Sequence, residues 1–371
     1  MRTRLPVPAT QVLAAAARFL RAGRGVARAE GGAIVQVVVV SQSEVPTLLP
    51  MRECLRLMER TLAALSAGTA IAPLRTVMWL PDRTGLLGMM PAYLSEDAGP
   101  GVFGLKAISV FPGNHGTEFD AHQGAVLLFE ATHGRLLAVI DATAITAIRT
   151  AAVSGVATRY LARADAGDLA ILGSGTQARA HLDAMHLARP LRRVRVWSRT
   201  PARAARFAEV EGARYGLAVE AVASAQDAVL GADLICTATS SAEPVLRGAW
   251  LAPGAHINAV GSSVPFAREL DTAAVARSRM FVDRRESAVN EAGDFLLPKQ
   301  EGAVGDEHIQ GEIGDVILGR IAGRRDPDEI TLFKSLGLAV EDVASAHHIY
   351  TQAHARGLGA RITLGGRRDP A

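Results

Sequence analysis

The chain has 371 residues, of which 49% are hydrophobic and 21% are charged, so it can bury the cores of two globular domains and is not disordered along its whole length. Its formal net charge is +3, but the first 33 residues supply +5 of this through six arginines and one glutamate, so the rest of the chain carries −2. A slightly acidic body with only 5% aromatic residues gives no argument for nucleic acid as a partner.

Residues 1–33 form the first predicted element, an alanine- and arginine-rich leader with no acidic residue before Glu30. We expect this leader to be disordered. Its composition fits a transit peptide, an inert leader, or translation begun upstream of the true start.

Residues 34–145 predict a domain of short strands with one helix. The run 37–40 predicts a strand, and apolar residues over 51–65 recur at spacings of three and four, which predicts an amphipathic helix ending at Gly68. Pro, Gly and Asp breaks separate further strands, which indicates a mixed or antiparallel sheet. The predicted ranges of these strands are 76–79, 84–90, 101–110 and 125–130.

A long helix over 141–164 is predicted to lead into a second domain, assigned to residues 146–325, in which strands and helices alternate. The predicted strands are 168–172, 193–197, 218–222, 234–237 and 256–260, and the predicted helices are 177–187, 201–211 and 225–230. This alternation predicts a doubly wound parallel sheet with helices on both faces.

The alternating pattern ends near residue 325, and a last helix over 339–356 is predicted to return to the first domain. That domain therefore comprises 34–145 and 326–371, both chain ends. The predicted fold class is α/β, with a Rossmann-type parallel sheet and a mixed α+β domain.

The two cysteines, Cys54 and Cys236, lie far apart and have no cysteine or histidine at metal-ligand spacing, so we expect neither a disulfide framework nor a metal site. A reducing, cytoplasmic compartment fits this, although targeting by the leader stays open. No run approaches the roughly 18 apolar residues that cross a bilayer, so we expect no membrane anchor.

The strongest local motif is Gly-x-Gly-x-x-Ala at 173–178, placed directly between a predicted strand and a predicted helix. Gly173 permits a tight turn, Gly175 lets the backbone approach a pyrophosphate, and Ala178 keeps helix and strand close. A turn that serves only backbone geometry is the weaker alternative, because the flanking elements also match. The predicted cofactor-binding residues here are Gly173, Ser174, Gly175, Thr176 and Gln177.

The end of the next strand indicates which nicotinamide cofactor binds. NAD enzymes usually place Asp or Glu there, on the ribose 2′-hydroxyl. This chain has Ser198, Arg199 and Thr200, and an arginine with two hydroxyls suits a 2′-phosphate. NADP(H) is therefore favoured, and NAD(H) stays open because Arg199 on a solvated loop would explain the same residues.

Three basic residues accompany the first predicted sheet: Arg75, Lys106 and Arg149. Lys106 stands between apolar residues in a chain with three lysines. An ammonium group can donate a proton to an imine or carbonyl, and a guanidinium can hold a carboxylate with two parallel bonds. From spacing alone, a structural ion pair explains Lys106 as well as catalysis does.

Seven stretches in order make the sequence similar to the ornithine cyclodeaminase/mu-crystallin family over about residues 37 to 360. These stretches are PMREC (50–54), KAISVFPGN (106–114), HQG (122–124), ITAIRTAA (145–152), the glycine turn (173–178), INAVG (257–261) and FKSLG (333–337). The resemblance implies a homodimer in which a substrate and dimerisation domain, built from both chain ends, accompanies a nicotinamide-binding domain.

The resemblance also implies roles for single residues. Arg75 would bind the substrate carboxylate, Lys106 would lie beside the reacting carbon, and Arg149 would lie near both substrate and cofactor. Lys334 would help to anchor the loop over the nicotinamide, with a salt bridge across the domain junction as the alternative. The predicted cofactor-binding set is completed by Thr237, Thr239 and Val260.

One family residue is missing. Cyclodeaminases and some alanine dehydrogenases of the family carry an aspartate where this chain has Ser263, and a serine without an activating partner is a poor general base. The chain resembles the ketimine reductase branch through Ser263, the Arg199–Thr200 pair and Glu291. Ser263 and Glu291 therefore join the catalytic candidates. Residues 118–121 depart from the family pattern, which leaves substrate size open.

The leading hypothesis is an NADPH-dependent reductase of cyclic ketimines that bear a carboxylate, such as pyrroline-2-carboxylate or piperideine-2-carboxylate. Lys106, or Glu291 through water, would keep the imine nitrogen protonated while hydride reaches the carbon. The alternatives are an NAD-dependent ornithine cyclodeaminase, an alanine or N-substituted amino-acid dehydrogenase, and a non-enzymatic NADPH-gated binding protein. Asp315, Glu341 and Asp342 are interpreted as helix-surface or capping carboxylates.

Overall fold

The computed structural model describes residues 36–96, 99–114 and 117–364. The predicted leader over 1–33 lies outside these ranges. Within them, no helix has the length and apolar character needed to cross a membrane.

The first sheet has eight strands, which come from both ends of the described chain. They are β1 (Gln36–Val40), β2 (Ala70–Ile71), β3 (Thr76–Trp79), β4 (Leu86–Glu96), β5 (Gly99–Val110), β6 (His122–Glu130), β7 (Leu136–Asp141) and β16 (Ala360–Thr363). Their order is β16-β1-β7-β6-β5-β4-β2, and β3 pairs with β4 outside this path. Among the described strands the pairs are antiparallel except β1 with β7, so the mixed sheet predicted from the breaks in sequence is confirmed.

Three helices accompany this sheet: α1 (Val45–Leu48), α2 (Met51–Ala67) and α11 (Ala339–Arg356). The predicted apolar stripe of α2 is buried, with Cys54, Leu55 and Met58 fully inaccessible. The helix ends at Gly68, which has a left-handed backbone conformation (φ +81°). Residues with a Cβ rarely adopt this conformation, which explains the glycine here. Helix α11 packs against β4, β5 and β6.

The second sheet has eight parallel strands in the order β10-β9-β8-β11-β12-β15-β13-β14. The strands are β8 (Asp168–Leu172), β9 (Arg193–Trp197), β10 (Val219–Ala221), β11 (Leu234–Thr237), β12 (His256–Ala259), β13 (Ser278–Val282), β14 (Ile309–Glu312) and β15 (Ile330–Lys334). The accompanying helices are α3 (Ala142–Leu161), α4 (Thr176–Ala188), α5 (Pro201–Tyr215), α6 (Ala225–Val229), α7 (Thr272–Ala276), α8 (Arg285–Glu291), α9 (Gly293–Gln300) and α10 (Ile313–Ile317).

Both faces of the second sheet are covered. Alternate residues of β8 lie in two different hydrophobic cores. Leu169 and Ile171 belong to the first core, and Ala170 and Leu172 belong to the second. The first core includes α3 and α4, and the second includes α6 and α7. The doubly wound α/β fold expected from the alternating pattern is therefore confirmed.

The C-terminal boundary differs from the prediction. Strand β15 lies between β12 and β13 in the second sheet, although residues 326–371 were assigned to the first domain. The prediction placed the boundary where the alternating pattern of strands and helices ends, near residue 325, but β15 pairs with β12 and β13 beyond that point. Strands β13 and β14 were missed as well. The chain returns to the first sheet only with α11.

Helix α3 begins directly after β7 and packs between α2 and α4. Its N-terminus is capped by Asp141, whose Oδ1 accepts from the Ala144 N–H at 2.8 Å. Gly155, in the middle of the helix, allows the close approach of the neighbouring helices. A Cβ at this position would lie 2.6 Å from Leu55 Cδ2 and 3.3 Å from Ala184 Cβ.

We expect Gly155→Val to lower the free energy of unfolding by about 1–3 kcal/mol, because overpacking forces α2 and α4 apart. Urea unfolding followed by tryptophan fluorescence measures this. The control is Gly113→Ala, where no heavy atom lies within 4 Å of the added Cβ, and it should unfold like the wild type. Equal stability of all three proteins would contradict this packing argument.

Candidate functional site

The glycine turn between β8 and α4 has the backbone that its sequence predicts. Gly173 has φ +121°, and a Cβ there would lie 2.4 Å from the Ala238 carbonyl oxygen. Gly175 is the N-cap residue of α4, and no described side chain caps the helix there. No heavy atom lies within 4 Å of the position that a Gly175 Cβ would take. The turn thus offers open space at a helix N-terminus, which suits the two phosphates of a dinucleotide.

The predicted ribose-binding residues lie at the same edge of the sheet. Ser174 Oγ and Ser198 Oγ are 3.0 Å apart, which joins the glycine turn to the end of β9. Arg199 and Thr200 follow and are exposed. In the described chain the Arg199 guanidinium has no hydrogen-bond or ion-pair partner, so it is available to a bound phosphate. Gln177 instead turns towards α3, where its Nε2 donates to the Thr146 carbonyl at 3.4 Å.

A buried carboxylate that the sequence analysis missed, Glu269, ties together the ends of β11 and β12. Its Oε1 accepts from the Thr239 N–H at 2.7 Å and from the Thr239 hydroxyl at 2.6 Å. Its Oε2 accepts from the Thr237 hydroxyl at 2.8 Å and from the Gly261 N–H at 2.6 Å. Burial, and then the neighbouring Asp294, raise the pKa of Glu269. Val260, half-buried, directly precedes Gly261.

Lys334 at the end of β15 extends this network. Its Nζ lies 2.9 Å from Asp294 Oδ2 and donates to the Ser262 carbonyl at 2.5 Å. Asp294 Oδ1 in turn accepts from the Glu269 N–H at 2.8 Å and the Leu270 N–H at 3.0 Å. Lys334 and Asp294 are both inaccessible to solvent. Lys334 thus forms a buried ion pair with Asp294 of α9, at the carboxyl edge of the second sheet. The sequence analysis had offered a salt bridge across the domain junction as the alternative role of this lysine.

A second buried network surrounds Lys106. Asp342 lies between two cations: its oxygens are 3.2 and 3.3 Å from Lys106 Nζ, and Oδ1 also accepts from Arg149 Nε at 3.0 Å. Arg149 Nη1 donates to Glu341 Oε2 at 2.8 Å. Each of the four side chains is at most 5% exposed.

The interpretation of Glu341 and Asp342 as helix-surface or capping carboxylates is therefore wrong. Both begin α11, but this first turn is buried, and neither side chain has exposed surface. The sequence did carry a signal, because the acidic pair directly follows the apolar run 338–340 and precedes Val343. Acidic residues are almost never fully buried unless they are paired, so such a position predicts cationic partners.

Burial shifts the titration of this cluster towards neutral pH. It lowers the pKa of Lys106 to about 8, although Asp342 acts in the opposite direction. Burial raises the pKa of Glu341 to about 7, although Arg149 lowers it. For Arg149 burial acts to lower the pKa, but Asp342 and Glu341 outweigh it and the pKa is raised. Lys106 is thus a cation that can release its proton within the physiological range.

Arg75, before β3, meets Glu291 at the end of α8. Its Nε is 3.0 Å from Glu291 Oε2, and its Nη2 donates to the carbonyls of Leu336 and Gly337 at 2.9 and 3.0 Å. The N–H groups of those same two residues donate to the buried carboxylate of Asp283, at 2.5 and 2.7 Å. The segment after β15 is therefore held from both sides.

Gly337 brings Arg75 and Arg149 close together. It has φ +78°, and a Cβ there would lie 2.4 Å from Arg149 Nη1. Arg75 thus contacts the carbonyl of Gly337, and Arg149 packs against the α-carbon of the same residue. The structure brings four of the predicted catalytic residues, Arg75, Lys106, Arg149 and Glu291, into one connected cluster.

Ser263, the fifth catalytic candidate, lies on the loop after β12. Its side chain is exposed, and no hydrogen bond to it occurs among the described residues. The neighbouring Ser262 hydroxyl is occupied, since it donates to the Ala267 carbonyl at 2.5 Å. Ser263 therefore has no partner here that would activate it as a base.

Comparison with known proteins identifies the same family that the sequence motifs indicate. The model of the ornithine cyclodeaminase/mu-crystallin family matches residues 35–357. The ketimine reductase mu-crystallin of Mus musculus is 42% identical over 285 residues, which cover 76% of this chain and 85% of the mouse protein.

Two solved structures resemble the chain along most of its length. The Δ(1)-pyrroline-2-carboxylate reductase of Thermococcus litoralis, in complex with NADH and L-proline, matches with a TM-score of 0.85 and 36% identity over 88% of this chain and 100% of that one. An archaeal alanine dehydrogenase dimer with bound NAD matches with a TM-score of 0.83 and 31% identity over 89% of this chain and 100% of that one.

We expect Asp342→Asn to lower the free energy of unfolding by about 3–5 kcal/mol, because it leaves Lys106 and Arg149 buried without their shared counter-charge. Chemical unfolding at pH 7 measures the loss. The matched control is Asp165→Asn, since Asp165 is 81% exposed in its ion pair with Arg163 and its replacement should leave stability near the wild type. A loss no larger than that of the control would show that Asp342 does not compensate the two cations.

Proposed function

The chain belongs to the ornithine cyclodeaminase/mu-crystallin family, and we propose that it is an NADPH-dependent reductase of cyclic imino acids. The substrates proposed are ketimines that carry a carboxylate, such as pyrroline-2-carboxylate and piperideine-2-carboxylate. One observation carries the proposal: Arg75, Lys106 and Arg149 form a connected cluster around the segment that follows β15. That segment leaves the same carboxyl edge of the second sheet at which the glycine turn lies.

The cofactor supplies the hydride for the imine carbon when it is bound. Gly173, Ser174, Gly175 and Thr176 would hold its diphosphate at the N-terminus of α4. Ser198, Arg199 and Thr200 would bind the ribose 2′-phosphate. Around the nicotinamide end we place Gln177, Thr237, Thr239, Val260 and Lys334. Glu269 and Asp294 keep three of these, the two threonines and the lysine, in position.

The substrate-binding residues follow from charge and burial. Arg75 would hold the substrate carboxylate, as guanidinium groups do with planar carboxylates. Lys106, with a pKa of about 8, is mostly protonated at pH 7 and would donate its proton to the imine nitrogen. A protonated imine accepts hydride more readily than a neutral one, so this donation favours reduction. Arg149, held by Glu341 and Asp342, would stabilise negative charge between substrate and cofactor.

Cyclodeamination of ornithine has less support. The serine at 263 replaces the aspartate of the cyclodeaminases, is exposed, and lacks an activating partner among the described residues. Amino-acid dehydrogenation remains the second candidate, because the archaeal alanine dehydrogenase matches the chain over 89% of its length. It would use the same hydride step, and a requirement for free ammonia or amine would distinguish it. The presence of Arg75, Lys106 and Arg149 together favours an enzyme over a cofactor-gated binding protein.

We further propose that the first sheet is the substrate and dimerisation domain of a homodimer. In the described part of the chain the edge strands β2, β3 and β16 expose five large apolar side chains: Ile71 by 59%, Val77 by 39%, Met78 by 53%, Trp79 by 38% and Ile362 by 43%. Val77, Met78 and Trp79 are consecutive on β3, and exposed apolar residues grouped on an edge strand favour an interface. The buried free thiols of Cys54 and Cys236 fit a cytoplasmic compartment.

Purified protein should oxidise NADPH when a cyclic ketimine is added, and Lys106→Met should lower kcat at least 100-fold because the proton donor is lost. The loss of nicotinamide absorbance measures turnover, and fluorescence titration should show unchanged NADPH binding in the variant. Release of ammonia from ornithine without any imine reduction would refute the proposal. Near-normal turnover of Lys106→Met would show that Lys106 is not the proton donor.

Arg199→Ser should weaken NADPH binding about 10- to 100-fold and leave NADH binding unchanged, because one charge-assisted contact to the 2′-phosphate is lost. Dissociation constants for both cofactors measure this. Arg193→Ser is the control, since Arg193 begins the same strand and pairs with Glu220 at 2.8 Å. A wild-type preference for NADH would contradict the assignment of Arg199.

A further inference from the structure

The ion pair between Arg75 and Glu291 is close but poorly formed. Arg75 Nε lies 3.0 Å from Glu291 Oε2, yet this buried oxygen accepts no hydrogen bond of good geometry in the described part of the chain. Glu291 therefore neutralises Arg75 without satisfying the hydrogen bonds of either group.

Arg75 does not depend on Glu291 for its position. Its Nη2 donates to two carbonyls, those of Leu336 and Gly337, and the N–H groups of these residues are held by Asp283. A ligand carboxylate can therefore replace Glu291 on the Nε side while the guanidinium stays in place. Both side chains of the pair retain some exposure, 18% for Arg75 and 17% for Glu291, so a ligand and water can reach them.

We propose that Glu291 occupies the place of the substrate carboxylate on Arg75, and that the arriving carboxylate displaces Glu291, which then takes up a proton from solvent. The inference rests on the proposed function, because it requires a substrate whose carboxylate binds Arg75. Substrate binding and proton uptake are then one coupled event.

The charges around Glu291 determine that it takes up a proton when it leaves Arg75. Burial raises the pKa of Glu291, Arg75 lowers it and Asp283 raises it. The elements packed against α8 bring two further carboxylates, but Asp294 is paired with Lys334 and Glu312 with Arg284. In the paired position Arg75 is the group that lowers the pKa of Glu291, so loss of the contact with Arg75 favours the protonated form.

Proton uptake at this point matches the stoichiometry of the reaction. Reduction of a C=N bond forms a C–H bond from the hydride and an N–H bond from a proton, so each turnover consumes one proton. Lys106 gives its proton to the imine nitrogen, and the proton taken up at Glu291 then replaces it on Lys106 through water. Glu291 is left as the carboxylate, so one proton enters the site and one is used in each turnover. When the product leaves, Glu291 returns to Arg75 as the carboxylate, and the site is restored.

The experiment measures binding rather than turnover. Pyrrole-2-carboxylate, which has a carboxylate but no reducible C=N bond, is titrated into the protein with NADP⁺ bound. Calorimetry at pH 7.0 in phosphate and in Tris, two buffers of different ionisation enthalpy, gives the number of protons taken up. We expect an uptake of about 0.5–1 proton per site in the wild type.

Glu291→Gln should bind the same ligand with uptake lowered by that amount, because glutamine cannot titrate. The control Glu220→Gln alters an exposed Arg–Glu pair and should keep the wild-type uptake. If Glu291→Gln does not fold, Glu291→Ala takes its place. The uptake lost relative to the wild type reports on Glu291, because Lys106 and Glu341 also titrate near neutral pH and are present in both proteins.

Binding without proton uptake, or equal uptake in wild type and Glu291→Gln, overturns the inference and leaves the proposed function untouched. Failure to bind any cyclic carboxylate, together with failure to reduce cyclic ketimines, refutes the proposed function, and the inference falls with it.

Discussion

The buried carboxylate of Asp342 compensates two cations that burial would otherwise make untenable. Lys106 comes from a strand of the first sheet and Arg149 from the helix that leads to the second, and both reach the same oxygen, Oδ1. An isolated ammonium or guanidinium group at such a site would carry a large desolvation penalty. With Asp342 present, both cations persist in an apolar interior, which makes them strong donors to an anionic or polar ligand.

Nine residues, 334–342, connect the networks of the site. Lys334 begins the segment in the ion pair with Asp294, next to Glu269 and the strand ends that it ties together. The backbone of Leu336 and Gly337 then lies between Arg75 and Asp283. Asp342 ends the segment at Lys106 and Arg149. The carboxyl edge of the second sheet and the basic residues near the first sheet are therefore connected by one continuous piece of backbone.

This arrangement separates the roles of the acidic residues. Glu269 and Asp342 satisfy several donors and hold other side chains in place, so their replacement should act first on stability. Glu291 satisfies its partner poorly and is partly exposed, so it is the acid that a ligand can displace. A fully satisfied network is rigid, whereas a partly satisfied one is the place where an exchange costs least.

The sequence by itself determined the parallel sheet, the glycine turn, helix α2 and the basic candidates Arg75, Lys106 and Arg149, because periodicity, turn chemistry and motif order are local properties. It did not reveal the partners of those bases. Strand β15 was assigned to the first domain because the alternating pattern ends near residue 325, and its pairing with β12 and β13 is not a local property. Glu341 and Asp342 were interpreted as surface acids because a helix start favours carboxylates. Only the tertiary structure decided which charges are buried together, since the free energy of a charge depends on its neighbours in space.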